Sequence, residues 1–212
     1  MKILYIDTST DYLYAGIISN NVLVADIKKS FNHDLSKYAL YRISKMFEES
    51  NLTPNDIDKI IVVDGPGSYT GIRVGMTIAK IYAWALKKQI TSISSLDAMQ
   101  VSTDYDGLII PVIDARRGFV YAAIYQNNQE LLPKQYIKLT DLLNKINKMN
   151  KKYLFVSNNN LKLDNLVSYD PDILKIVNTY QDKENINPHM IEPNYLKLTE
   201  AEENLQGITH DN

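Results

Sequence analysis

The stretch Gly65-Pro66-Gly67-Ser68-Tyr69-Thr70-Gly71-Ile72-Arg73-Val74-Gly75 holds four of the chain's eight glycines and follows the β-branched run Ile60-Ile61-Val62-Val63. Glycine is entropically costly and is kept where a backbone takes positive φ or another group comes very close. One chemistry open to such a loop is anion binding. The Ser68 and Thr70 hydroxyls, with free N–H groups opening a helix at Gly71, would make a nest for phosphate. No Lys follows the last glycine and no G-x-G-x-x-G is present, so neither common phosphate fingerprint applies. The other reading is structural. Pro66 and the glycines shape a tight strand-to-helix corner, and Gly71, Gly75, Ala79 and Ala83 form a small-residue stripe for close packing. The missing fingerprints favour that second reading.

Carboxylates offer the other candidate chemistry. Ile6-Asp7 and Ile113-Asp114 each end an apolar run and precede a polar turn and a returning strand. In a two-lobed phosphotransferase Asp7 and Asp114 would organise magnesium, with Thr8 and Ser9 supplying hydroxyls near the phosphates. The first turn contains no glycine, however, and the second half has only Gly107, Gly118 and Gly207, none adjacent to another. Both aspartates therefore read as turn formers by default, and an ATP-dependent phosphotransferase is the alternative reading. His33, His189 and His210 lack metal-site spacing, and no Gly-x-Ser-x-Gly elbow exists. Proteolysis is disfavoured, and no metal or cofactor is expected.

The elements that would position these residues follow from periodicity. Strands are predicted at 3–6, 13–18 and 22–27 as a meander, then an amphipathic helix capped by 32–34 and carrying Leu35, Ala39, Ile43, Met46 and Phe47. A buried strand at 60–63, the glycine loop and a helix from 71 to about 88 come next, with Ser94 and Ser95 capping another short helix. The polar segment 102–107 suits a lobe boundary, giving lobes 1–103 and 104–212. In the second, strands are predicted at 108–113 and 119–125, a helix at 139–149, a strand at 153–156 and a loop at 158–160. The two halves echo one another faintly, as duplicated lobes around a nucleotide cleft would.

The helix after Gly71 is apolar nearly all round, with Arg73, Thr77, Lys80 and Lys87 as its polar stripe. Such a helix must be buried on two sides. One side faces a sheet, leaving the other for a partner. Tyr38, Tyr41 and Met46 on the preceding helix, with Ile72, Met76, Ala79 and Ala83, are the candidate interface residues. Within a single lobe the two helices could instead satisfy each other.

The chain has 212 residues, 45% hydrophobic, with 23 basic and 25 acidic side chains and a net charge of −2. That balance offers no overall basic stripe, so direct RNA binding is not expected. The absence of cysteine excludes disulfides, thiolate metal sites and a Cys nucleophile, and fits a reducing compartment. Asp7 interrupts the apolar N-terminus too early for a signal peptide, and Arg73 and Lys80 argue against a membrane span, so a cytoplasmic protein is expected.

The glycine loop, with Ile6-Asp7-Thr8-Ser9, Ala79-Lys80, Ser94-Ser95-Leu96-Asp97-Ala98, Asp114-Ala115-Arg116-Arg117-Gly118-Phe119-Val120-Tyr121 and Pro193-Asn194-Tyr195-Leu196-Lys197, resembles the TsaB (YeaZ) proteins of the glycoprotease-like family. The likeness runs nearly full length. It implies an α/β, actin-like ATPase (ASKHA) fold of two lobes, each a mixed sheet flanked by helices. It also implies a non-catalytic scaffold in the making of N6-threonylcarbamoyladenosine (t6A) beside the tRNA anticodon. The implied partners are a homologous catalytic TsaD-like subunit, a TsaE-like ATPase and, when alone, a second copy, with tRNA contacted only indirectly. This chain has one histidine, His33, where a catalytic relative would place a pair. Asp7, Thr8, Ser9 and Asp114 would then line a vestigial nucleotide cleft. The acidic tail after Lys197 departs from the resemblance.

Overall fold

A computed structural model describes residues 1–31 and 34–197. Strands β1 (Lys2–Asp7), β2 (Tyr12–Ser19) and β3 (Val22–Ser30) form the expected meander, followed by α1 (Leu35–Glu49), β4 (Lys59–Gly65), α2 (Tyr69–Ala85), β5 (Gln89–Ser94) and α3 (Ser95–Val101). β6 (Leu108–Asp114), β7 (Phe119–Gln126), β8 (Gln129–Lys138), α4 (Leu139–Met149), β9 (Tyr153–Val156), β10 (Leu166–Val167) and α5 (Ile173–Tyr180) follow. The capping residues Asn32 and His33 lie outside the described residues, and Asp34 makes no side-chain cap to α1.

The faint echo of the halves is a repeat of topology. One sheet has the order β3-β2-β1-β4-β5 and the other β8-β7-β6-β9-β10. In each, the first strand is antiparallel to the second and parallel to the fourth, with a helix crossing over between the third and fourth. This is the expected two-lobed, actin-like arrangement.

Strand alternation builds the layers. Leu4 and Ile6 of β1 and Ile60 and Val62 of β4 face one way, onto Ala39 and Ile43 of α1 and Ile72, Met76 and Ala79 of α2. Ile3, Tyr5, Ile61 and Val63 face the other way, into a core shared with α3, α5 and residues Ile109, Ile113 and Ala123 of the second sheet. On that sheet Leu108, Ile110 and Val112 point outward to Leu142 and Ile146 of α4. The order through the molecule is therefore α1/α2, first sheet, α3/α5, second sheet, α4. Each fully buried Leu, Ile or Val on these faces is worth roughly 1.5–3 kcal/mol.

The expectation of residues 104–212 as one second lobe meets a correction after β10. Ile173, Ile176 and Val177 of α5 pack with β1 and β2, and the chain then crosses the first lobe. Ile186 N–H donates to Ile90 O at 2.8 Å, Asn194 N–H donates to Asp64 O at 2.8 Å, and Lys80 Nζ donates to Ile191 O at 2.9 Å. Residues 181–197 thus strap the first lobe. The cause is the open apolar edge of β5 and α2, which Ile186 and Ile191 cover.

Candidate functional site

At the end of β1 the Asp7 carboxylate folds back, Oδ1 accepting the Ser9 N–H at 2.8 Å. Asp7 is 1% exposed and lies on the inner face with Tyr5 and Tyr169. Burial raises its pKa, opposed by hydrogen bonds from Ser9 and Tyr5. Thr8 points the opposite way. Its Oγ1 donates to Gly71 O at 2.7 Å and accepts the Gly75 N–H at 3.0 Å, pinning the first turns of α2 to the β1–β2 turn.

That pin decides between the two readings of the glycine loop. A Cβ at Gly71 would stand 2.1 Å from Thr8 O, one at Gly75 2.2 Å from Thr8 Oγ1, and one at Gly67 2.1 Å from Ser9 O. Ser68 N–H donates to Ser9 O at 2.7 Å, and Ser68 Oγ caps α2 by accepting the Gly71 N–H at 3.2 Å. The glycines are there for backbone approach. The Gly71 amide, which could have joined a phosphate nest, is instead capped by Ser68.

A cleft of about 570 Å³ opens between the lobes, lined by Ser9, Thr10, Tyr12, Ser68, Asp114 and Arg116 among others. Of the four residues assigned to a nucleotide cleft, Ser9 and Asp114 line this one, whereas Asp7 and Thr8 do not. Asp114 is exposed, its N–H donating to Asn159 Oδ1 at 2.9 Å and its Oδ1 accepting the Arg116 N–H at 2.8 Å. Among the described residues no three His, Asp or Glu side chains converge on a metal-sized site. Tyr125 Oη and Lys134 Nζ of the second lobe donate to Asp97 Oδ1 of α3, at 2.7 and 2.9 Å, tying the lobes together.

The candidate interface residues need sorting. Met46, Ile72, Met76, Ala79 and Ala83 are at most 2% exposed and belong to the core between α1, α2 and the first sheet. Proximity of small and apolar residues on facing helices signalled packing within the lobe, so these five are corrected to core positions. Tyr41 is exposed and Tyr38 half-buried against Phe31. The free apolar face comes instead from Leu40, Tyr41, Tyr69, Ile81 and Trp84, each between 52% and 64% exposed. A groove of about 470 Å³ runs between the helices, lined by Ser36, Leu40, Tyr69, Thr70, Arg73, Val74, Thr77 and Ile78. Leu40, Tyr69, Ile81 and Trp84 were missed. They lie on the helix faces away from the sheet, a signal readable from the 3.6-residue period once the buried stripe is fixed.

Arg73 borders the groove. Its guanidinium lies 3.9 Å from the Tyr69 ring centre and its Nε donates to Tyr195 Oη at 2.8 Å, while the Tyr69 and Tyr195 rings stack at 5.2 Å. The strap therefore helps to frame the outer face of α2.

A Bacillus subtilis (strain 168) relative, described as tRNA threonylcarbamoyladenosine biosynthesis protein TsaB, is 31% identical over 221 residues, covering 95% of this chain and 96% of that protein. The chain belongs to the TsaB family. The Escherichia coli (strain K12) TsaB is 29% identical over 132 residues, spanning 61% of this chain and 57% of that one. Residues 32–178 also match the family model described as TsaD, tRNA N6-adenosine threonylcarbamoyltransferase. A solved structure of YeaZ from Pseudomonas aeruginosa shares the fold, with a TM-score of 0.72 at 17% identity over 92% of this chain and 99% of that one. No helix among the described residues is long and apolar enough to cross a membrane.

Proposed function

We propose that this chain is a non-catalytic, cytoplasmic subunit of the machinery that makes t6A in tRNA, and that it docks a homologous TsaD-like catalytic subunit through the outer face of α1 and α2. The observation that carries the reading is the exposed row Leu40, Tyr41, Tyr69, Ile81 and Trp84 flanking an apolar groove. Large aromatic and aliphatic side chains gathered on one exposed face are the composition of a docking surface. The names of its relatives supply the pathway.

The homologous partner follows from the match to the TsaD model, which spans both α1 and α2. A relative with the same helix pair can lay it against this one about a pseudo-twofold axis, and a second copy of this chain can do the same when alone. A TsaE-like ATPase would join the assembled pair. Absence of catalysis in this chain is supported by Asp7 facing the core and by Thr8 plugging the first turn of α2.

The test is co-elution with the TsaD-like subunit from the same organism. Leu40→Glu and Trp84→Glu are expected to abolish co-elution and t6A formation while leaving the circular dichroism spectrum unchanged. Retention of the pair by both variants would remove this face from the interface.

A further inference from the structure

We infer that the outer face of the second lobe, built from α4, the turn 150–152 and residue 162, is a contact surface for an RNA phosphate backbone. Between Lys138 and Asp164 stand six lysines and two aspartates, in a chain with more acidic than basic residues overall. Whole-chain charge hides this asymmetry. Lys145 and Lys148 project from α4, Lys151 and Lys152 from the turn into β9, and Lys162 from the segment that covers the same sheet face beside it; all five are exposed.

Many other lysines of this molecule have structural duties. Lys28, Lys45, Lys134 and Lys175 are in ion pairs, and Lys59, Lys80, Lys88 and Lys183 donate to backbone carbonyls. None of the five on the second lobe takes part in the ion pairs among the described residues, and only Lys151 donates to a side chain, Gln126 Oε1. Asn144, Asn147 and Asn150 stand exposed between them as further hydrogen-bond donors.

The apolar side of α4 is packed on the sheet through Leu142 and Ile146, and no large exposed hydrophobic side chain lies on this helix. A lipid surface would need such groups to insert, and a protein partner an apolar anchor. Lysine and amide donors without apolar anchors fit phosphates. The face lies on the opposite side of the layered fold from α1 and α2, so a subunit docked there leaves it open. The choice of tRNA as the RNA rests on the t6A reading above.

The experiment measures binding of fluorescent, unmodified tRNA to the full chain and to its complex with the TsaD-like subunit, across a salt series. K145Q/K148Q/K151Q/K152Q is expected to weaken binding at least tenfold at low salt and to reduce the salt slope by roughly one for each phosphate no longer neutralised. A charge-matched control, K2Q/K29Q/K87Q/K175Q, should retain affinity within about twofold, and both variants should co-elute with the partner. Unchanged RNA affinity in the first variant, equal losses in both, or equally tight binding of polyglutamate would overturn the basic face while leaving the subunit reading intact. Failure of the unmodified chain to co-elute would instead strike the subunit reading alone.

Discussion

The turns 7–11 and 114–118 hold equivalent places in the two sheets, each leading from the central strand into its antiparallel neighbour. Around the first, α2 arrives between β4 and β5 with Gly71 and Gly75 against Thr8, and Gly67 just before it lies against Ser9. Around the second, β9 and β10 are joined through residues 157–165 without a helix, and Asn159 reaches across to the Asp114 amide. One turn is filled and the other open. Duplicated topology therefore does not give a symmetric cleft, and the α2 that fills the first lobe's turn also carries apolar side chains to the outside.

The largest effects should appear where the first turn is filled. Gly71→Ala is expected to lose at least about 3 kcal/mol of stability, because the new methyl must displace backbone. Its counterpart Gly118→Ala meets no atom within 4 Å and suffers only the strain of φ +77°, about 1 kcal/mol; chemical denaturation of both variants measures the contrast. If the two losses are equal, the filled-turn account fails.

Next in size is the division between core and outer face of α2. Ala79→Glu and Ala83→Glu, buried in the first lobe, are expected to give unfolded or insoluble protein, unlike Trp84→Glu. Thermal melts of the three variants decide this.

Asp64 provides a smaller, pH-dependent test at the end of β4. Burial raises its carboxyl to about 6, with Lys183 and Ser92 pulling the other way, and its Oδ1 has no hydrogen-bond partner. A folded pKa above the unfolded one means that the native state binds more protons, so stability falls as pH rises from about 4 to 6. Asp64→Asn should therefore stabilise by on the order of 1–2 kcal/mol at pH 8 and hardly at all near pH 4. Asp114→Asn should cost about 0.5–1 kcal/mol, through the bond to Arg116 N–H. Calorimetry with ATP and magnesium on the parent chain should give no heat of binding, and strong binding lost in Asp7→Asn would restore the phosphotransferase reading.

How much was legible in the sequence depended on whether a segment's neighbours were local. α4 and β9 matched their predicted limits, because Leu142, Ile146 and the 153–156 run carry their own period. β8 was missed; it carries Pro133, whose missing N–H is tolerated at the edge of the sheet. β5 carries polar Thr91, Ser92 and Ser94 that face the strap and the α3 cap, and α5 is short, although Asp172 capping the Lys175 N–H ahead of Ile173, Ile176 and Val177 was a usable sign. At the site, the glycines marked the important turn, but their purpose lay in Thr8 and Ser9, some sixty residues away. The free face of α2 was masked for the same reason, since the coverage of its flank comes from residues 186–195.

The strap has a consequence for how the molecule comes into being. Ile186 and Ile191 come after every described strand of both sheets, yet they complete the wall of the lobe that contains β1. On a ribosome the first lobe must wait, its β5 edge and α2 flank uncovered, until residue 191 has emerged. A message cut short before codon 186 would yield a lobe that has all its strands but no finished side.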